Sequence, residues 1–330
     1  MRWLAFALGG LLLGAVICSP KPAQALACTA NFTGNVVFGN IDMLTGGGFT
    51  ATGAVHIACT AISSLAGGVS VCPYLGTGSG GQDAASRFFS GPVTTLRYQL
   101  YRDSGYSQVW GDPAGAFGGD AELLTANGNL AGNATASWDL TIYARIASGQ
   151  SAVPAGAYSS VFSSTYVNFR YGTNLLSLVN CTSLSGLLNQ TITPSNNLTV
   201  SATVDKNCNL TTNPVDFGSH GVLIADTTAN APMTVKCTPD AVYTIALGNG
   251  LNSTGPMARR MRRGVTSSYV TYGLYKDSGN SDPWGDSGGN RVTNTGNGAD
   301  QVVWVYGKVP AQATPAAGTY NDTVVVTVEY

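Results

Sequence analysis

The sequence predicts an all-β protein of two tandem β-sandwich domains, the second short of one strand. Three observations carry that prediction. The chain repeats itself, since LYRDSGYSQVWGD at 100–112 and LYKDSGNSDPWGD at 274–286 agree at nine of thirteen positions. Apolar residues alternate with period two along many short runs, and helical periodicity is scarce. Turn signals rich in Gly, Asn and Asp separate those runs, as in sandwiches rather than α/β folds.

The elements follow in chain order. Arg2, the apolar run Leu4 to Ile17 and the small-x-small triplet Ala23-Gln24-Ala25 read as a secretory signal. That run is shorter than the ~20 apolar residues a membrane-spanning helix needs. Cys28 after Ala25-Leu26-Ala27 leaves a lipoprotein reading open, although the usual Leu three residues before the cysteine is absent. Cleavage between Ala25 and Ala27 puts a first domain at 26–195 and a second at 207–330, with 196–206 as a linker or donor-like strand. Cys28 is answered by Cys208, Phe38-Gly39 by Phe217-Gly218, and Cys59-Thr60 by Cys237-Thr238. LTIYARI at 140–146 is answered by VWVYGKV at 303–309, and PAGAY at 154–158 by PAAGTY at 315–320. The offset drifts from 180 to 162 along the chain, as expected of one duplication followed by loop insertions.

Matched strands share matched faces. Val55, Ile57 and Cys59 correspond to Met233, Val235 and Cys237. Leu96, Tyr98 and Leu100 correspond to Val270, Tyr272 and Leu274. The two copies end differently. The second closes on Val324, Val326, Val328 and Tyr330. The first has an equivalent strand near 158–170 and then adds Leu198, Val200, Ala202 and Val204 before Cys208. A sandwich short of a strand exposes apolar core and unpaired backbone groups. Such a slot accepts a strand from another chain. Val324, Val326, Val328 and Tyr330 are therefore the candidate residues for the groove that a partner strand enters. The plainer alternative makes 196–206 a linker between two complete modules.

Composition narrows the function classes. Charged residues are 10% of the chain and the net charge is −1, which gives no field to attract nucleic acid or an anionic membrane. Loss of the signal, with Cys18, leaves six of the seven cysteines, an even count that argues for disulfides in an exported chain. The duplication pairs Cys28 with Cys59 and Cys208 with Cys237, and leaves Cys72 for Cys181. No CxxC occurs, and His56 and His220 are isolated, so neither a metal nor another cofactor is expected. No hydrolase elbow or zinc-protease motif is found, and the chain does not read as an enzyme. Asp103-Ser104 and Asp277-Ser278 read as turn caps with the following Gly at positive φ. Trp110 and Trp284 read as packing at the sandwich edge. Arg259, Arg260, Arg262 and Arg263 read as a solvated loop, with contact to an acidic partner as the alternative. The first-domain loops carry Tyr74, Leu75, Phe88, Phe89, Phe117, Leu123 and Leu124, then Leu175, Leu176 and Leu178. Clustered and exposed, they would form an adhesive apolar patch. Buried, they would form a second small core pinned by Cys72 and Cys181.

The opening cysteine, the Phe-Gly pair, the second Cys-Thr, the LYxDSG…WGD segment and the strand following PAAGTY together resemble the spore coat protein U domain family. That family includes subunits of archaic chaperone–usher (Csu-type) pili, and both copies match. The resemblance implies immunoglobulin-like sandwiches whose missing strand comes first from a periplasmic chaperone and then from the adjacent pilus subunit. An outer-membrane usher is implied as a further partner. With only Leu26 and Ala27 ahead of Cys28 after cleavage, the chain is expected to accept a strand but not to donate one. It is thus expected at the pilus tip on the cell surface, a non-enzymatic adhesin that attaches to abiotic or host surfaces in biofilm formation. A structural spore-coat or shaft subunit and a carbohydrate-binding lectin are the alternatives.

Overall fold

A computed structural model describes residues 26–62, 68–91, 96–112, 117, 121–126, 130–173, 181, 190–255 and 257–330. The expected signal at 1–25 and Leu175, Leu176 and Leu178 lie outside the described residues. The fold is all-β, with two separate groups of sheets.

The first group contains β1 (Leu26–Gly34), β2 (Val36–Ile41), β3 (Phe49–Ala61), β4 (Val69–Leu75), β5 (Arg87–Phe88) and β6 (Arg97–Tyr101). It continues with β7 (Leu124–Ala126), β8 (Thr135–Ile146), β9 (Gly156–Phe162), β10 (Val167–Thr173), β11 (Gln190–Ile192) and β12 (Leu198–Val204). Three sheets result, ordered β1-β3-β8-β6-β5, β11-β10-β4-β7 and β2-β12-β9. Period-two alternation explains the faces. On β3, Val55, Ile57 and Cys59 enter the core, while His56 points out and places Nδ1 2.7 Å from Asp139 Oδ1. β4 differs, because all seven residues of VSVCPYL are buried. Val69, Val71 and Leu75 join the main core, while Cys72 and Tyr74 join a smaller cluster with Ala121 and Cys181.

The second group contains β13 (Cys208–Thr212), β14 (Thr227–Cys237), β15 (Val242–Leu247) and β16 (Arg259–Arg262). It ends with β17 (Tyr269–Tyr275), β18 (Val292–Thr295), β19 (Gln301–Val309) and β20 (Val326–Glu329). Its sheets run β13-β14-β19-β17-β16 and β18-β15-β20. Met233, Val235, Ile245, Leu247 and Trp284 lie at the centre of its core.

All three disulfides join the cysteines paired by the duplication and by elimination: Cys28–Cys59, Cys72–Cys181 and Cys208–Cys237. The symmetric pairs sit directly across paired strands, β1 and β3 in the first half and β13 and β14 in the second. Between the halves, Asn207 Nδ2 donates to Asp42 Oδ2 at 2.6 Å, and Thr238 Oγ1 donates to the Asp205 carbonyl at 3.2 Å.

Candidate functional site

Each half of the molecule is a control for the other. In the first, β12 lies between β2 and β9. It runs parallel to β2, with Val200 opposite Val36 and Val204 opposite Ile41. It runs antiparallel to β9, from Leu198 opposite Phe162 to Val204 opposite Gly156. Leu198, Val200, Ala202 and Val204 are all buried, so this strand carries a full apolar face into the core.

The second half has both flanks of that arrangement and, among the described residues, no strand between them. The counterpart of Phe38-Gly39 is Phe217-Gly218, with the two glycines at φ 71° and 75°. The counterpart of Gly156 at the start of β9 is Gly318, at φ 147° and 153° respectively. Such φ values are nearly closed to side chains with a Cβ, so both chain reversals survived the duplication. Between Val215–His220 and Gly318–Val324 lies an open groove of about 1190 Å³. Val215 and Phe217 line one bank, Tyr320 and Val324 the other, and Met233, Leu247 and Leu274 the floor. Neither bank is a strand, as expected where the ladder partner is missing. Phe162, paired with Leu198 of β12, is fully buried, whereas its counterpart Val324 is only half-buried.

One polar group distinguishes the open groove from the filled one. Asp322 stands where the first half has Ser160. Its Oδ2 accepts from the Tyr272 hydroxyl at 2.8 Å, and Oδ1 accepts from the Leu251 N–H at 3.0 Å and Asn252 Nδ2 at 3.2 Å. Burial, then the hydrogen bond and charge of Asp322, push the Tyr272 hydroxyl well above the usual phenol range. Its counterpart Tyr98 is pushed up to about 12, chiefly by burial.

Of the four groove candidates, Val324 and Val326 line it. Val328 and Tyr330 do not. Val328 pairs with Ile245 of β15, and Tyr330 reaches away to Asn207 Oδ1 at 3.2 Å. Val326 opens β20 opposite Leu247, itself a groove residue, and Val328 lies two residues further along that strand. The sequence missed Val215, Phe217 and the floor residues, although the repeated Phe-Gly pair marked the bank.

The adhesive-loop expectation needs correction. Tyr74, Leu75, Phe89 and Leu124 are buried, with 4% exposure or less. The Tyr74 hydroxyl donates to the Cys181 carbonyl at 2.9 Å, and Leu123 packs on the same small cluster. The Cys72–Cys181 cluster holds Tyr74 and Leu123, while Leu75, Phe89 and Leu124 pack into the main core. Phe88 and Phe117 are half-buried, under Arg97 at 5.7 Å and beside Arg87 at 4.6 Å respectively.

The arginine run is not a solvated loop either. Arg259 is fully buried on β16 and repeats Arg87 of β5. Arg259 Nη2 donates to the carbonyls of Leu247 and Trp284, at 3.0 and 2.8 Å. Arg87 Nη2 donates to those of Leu75 and Trp110, and its Nη1 donates to Gln99. Burial lowers Arg87 to about 10. Trp110 and Trp284 are fully buried rather than at an edge, with Nε1 donating to Pro73 and Ile245.

The Asp-Ser-Gly segments are turns. Asp103 accepts from the N–H groups of Gln108 and Ser107, and Asp277 from those of Asp282 and Ser281. Those backbone donors hold both carboxyls below the usual carboxylate range. Positive φ falls one residue later than expected, on Tyr106 and Asn280 at 55° and 52°. The glycines instead leave room for the cap. A Cβ on Gly105 or Gly279 would lie 3.0 Å from the capping carboxylate. Among the described residues, no group of three His, Cys, Asp or Glu side chains could hold a metal ion. None of their helices is long and apolar enough to cross a membrane.

Comparison with known proteins agrees with the duplication. The family described as spore coat protein U domain matches twice, over residues 16–165 and 195–327. Protein U of Myxococcus xanthus is 33% identical over 127 residues, covering 35% of this chain and 71% of that protein. Among solved structures, the tip adhesion subunit in a chaperone–tip complex (CsuC-CsuE) from the archaic Csu pili of Acinetobacter baumannii aligns with a TM-score of 0.49. Its identity is 18%, over 92% of this chain and 100% of that one. The CupB6 tip adhesin of Pseudomonas aeruginosa aligns with a TM-score of 0.37 and 12% identity, over 92% and 93% of the two chains.

Proposed function

The chain belongs to the spore coat protein U domain family, and from that premise we propose a subunit of a surface fibre whose second domain is completed by another polypeptide. The open groove between Val215–His220 and Gly318–Val324 carries this reading, because the equivalent space in the first domain is filled by β12. The incoming strand runs antiparallel to Gly318–Val324 and parallel to Val215–His220. Its inward residues take the places of Leu198, Val200, Ala202 and Val204. Each large apolar side chain so buried contributes about 1.5–3 kcal/mol. A periplasmic chaperone supplies the strand before assembly, and the adjacent subunit supplies it after passage through an outer-membrane usher.

The first domain needs no such strand, so the pair offers one acceptor groove among the described residues. This supports a place at the distal end of a secreted pilus, with the first domain presented to the surface that is colonised. With Tyr74, Leu75, Phe89 and Leu124 buried, Phe88, Phe117 and Leu123 remain for contact. Neither assembly nor attachment requires catalysis.

The decisive experiment is hydrogen exchange on the full-length protein, with and without alternating apolar peptides, including one copying Asn197–Asp205. Slowed exchange in both 215–220 and 318–324 is expected on peptide addition. Unchanged exchange in both segments with every peptide tried would sink the acceptor reading. For attachment, Phe88→Ser should reduce surface binding while fibres still assemble; equal binding removes Phe88 from the contact surface.

A further inference from the structure

We propose that Arg263 forms an anion-recognising edge to the groove, and that the entering strand carries a carboxylate directly after its last inward apolar residue. This rests on the acceptor reading above and adds a chemical requirement on the partner.

The first observation is a contrast between the halves. Arg262 and Asn321 exchange backbone hydrogen bonds of 2.8 and 3.0 Å, as Ser90 and Ser159 do in the first domain. That correspondence aligns Arg260, Arg262 and Arg263 with Phe88, Ser90 and Gly91. The domain that is already filled has neutral residues at all three positions, and the open one has cations.

The second observation is location. Asn321 and Gly318 belong to the groove bank. The Arg263 side chain lies across Gly318, its Cδ 2.5 Å from where a Cβ would stand. Nη1 of Arg263 donates to the Ala317 carbonyl at 2.8 Å.

The third is charge. In the second domain Lys276 pairs with Asp282, Lys308 with Asp226, and Arg291 with Glu329. Among the described residues, no carboxylate pairs with Arg262 or Arg263. Their guanidiniums donate to the carbonyls of Val265, Thr266 and Ala317, which hold them in place without neutralising them.

The fourth is the template. Val204 of β12 lies opposite Gly156, the counterpart of Gly318, and the next residue is Asp205. A strand in the same register therefore puts its last apolar side chain opposite Gly318 and the next residue level with Ala317, whose carbonyl Arg263 already holds. Basic residues on an outer strand also serve to repel edge-to-edge pairing. A guard of that kind has no preference for a carboxylate at one position, and this separates the two roles.

The test uses the full-length protein and a fluorescent, C-terminally amidated peptide copying Asn197–Asp205. The comparison peptide carries Asp205→Asn, which leaves the protein untouched. At low ionic strength the Asn peptide is expected to bind about fivefold more weakly. That difference should vanish in about 0.5 M salt, where screening acts over only a few ångströms. Arg263→Glu should invert the preference toward an Asp205→Lys peptide. Equal binding of the Asp and Asn peptides at low salt overturns the charged edge while leaving the acceptor reading standing. Binding of neither peptide overturns both.

Discussion

Arg87 and Arg259 occupy places that an apolar side chain would take in an ordinary sandwich. Each guanidinium collects carbonyl groups from the end of a strand and from the buried tryptophan itself. Arg259→Met would leave the carbonyls of Leu247, Gly248 and Trp284 without donors. A loss of about 3 kcal/mol is expected, measured as a lower denaturation midpoint with Trp284 fluorescence as the probe. Asp103 and Asp277 give a pH signature. Their folded values lie below 3.8, so the stability they add is fully present above that pH and is lost as pH falls through the lowered values. Asp277→Ala should therefore lower the melting temperature at pH 7 and make little difference well below pH 3. The caps were legible because Asp-Ser-Gly is a local signal, read within five residues. The arginine staples were not, because their carbonyl partners lie as many as 25 residues away and the charge alone suggested solvent.

Among the elements, β12 has the largest consequences. Alternation in Leu198, Val200, Ala202 and Val204 made it legible as a strand with one apolar face. It could not reveal the neighbours, since the same face pattern suits a parallel or an antiparallel partner. Val200→Asp would put an unpaired carboxylate between Val36 and Ser160. The expected outcome is loss of the first domain's cooperative unfolding while the second domain's transition persists, seen by calorimetry. β4 teaches a different lesson. A strand buried on both faces reads as a continuous apolar run, and Tyr74 and Leu75 at its end looked like a protruding tip. Replacing Cys72 and Cys181 with Ala should raise hydrogen exchange around Tyr74 and Ala121 but leave the main core of Val55, Ile57 and Ile142 protected.

At the scale of the whole molecule, the two halves hold the same instructions and reach different states of completion. The repeat and the unequal endings of the copies made two sandwiches legible, and with them the idea of a missing strand. The groove's banks were not legible, because the alternation of Val215 and Phe217 is too short to read and Asp322 interrupts the one from Tyr320 to Val324. Phe217 shows this. It was visible as a landmark shared with Phe38, but nothing local revealed that it stands at the rim of an empty slot. Phe217→Ala should weaken binding of an inserted peptide by about tenfold, read by titration, with little change in the protein's own melting temperature.

The way β12 leaves its sandwich also bears on mechanics. Asp205 hydrogen-bonds to Ile41 and Asn207 to Asp42, and the chain then passes into β13. Tension that draws the halves apart therefore enters at the end of a strand held along both sides by β2 and β9. It acts along the ladder and loads the rungs together instead of opening them singly. A joint of this kind, loaded along its strand, would resist extension more than one opened from its end.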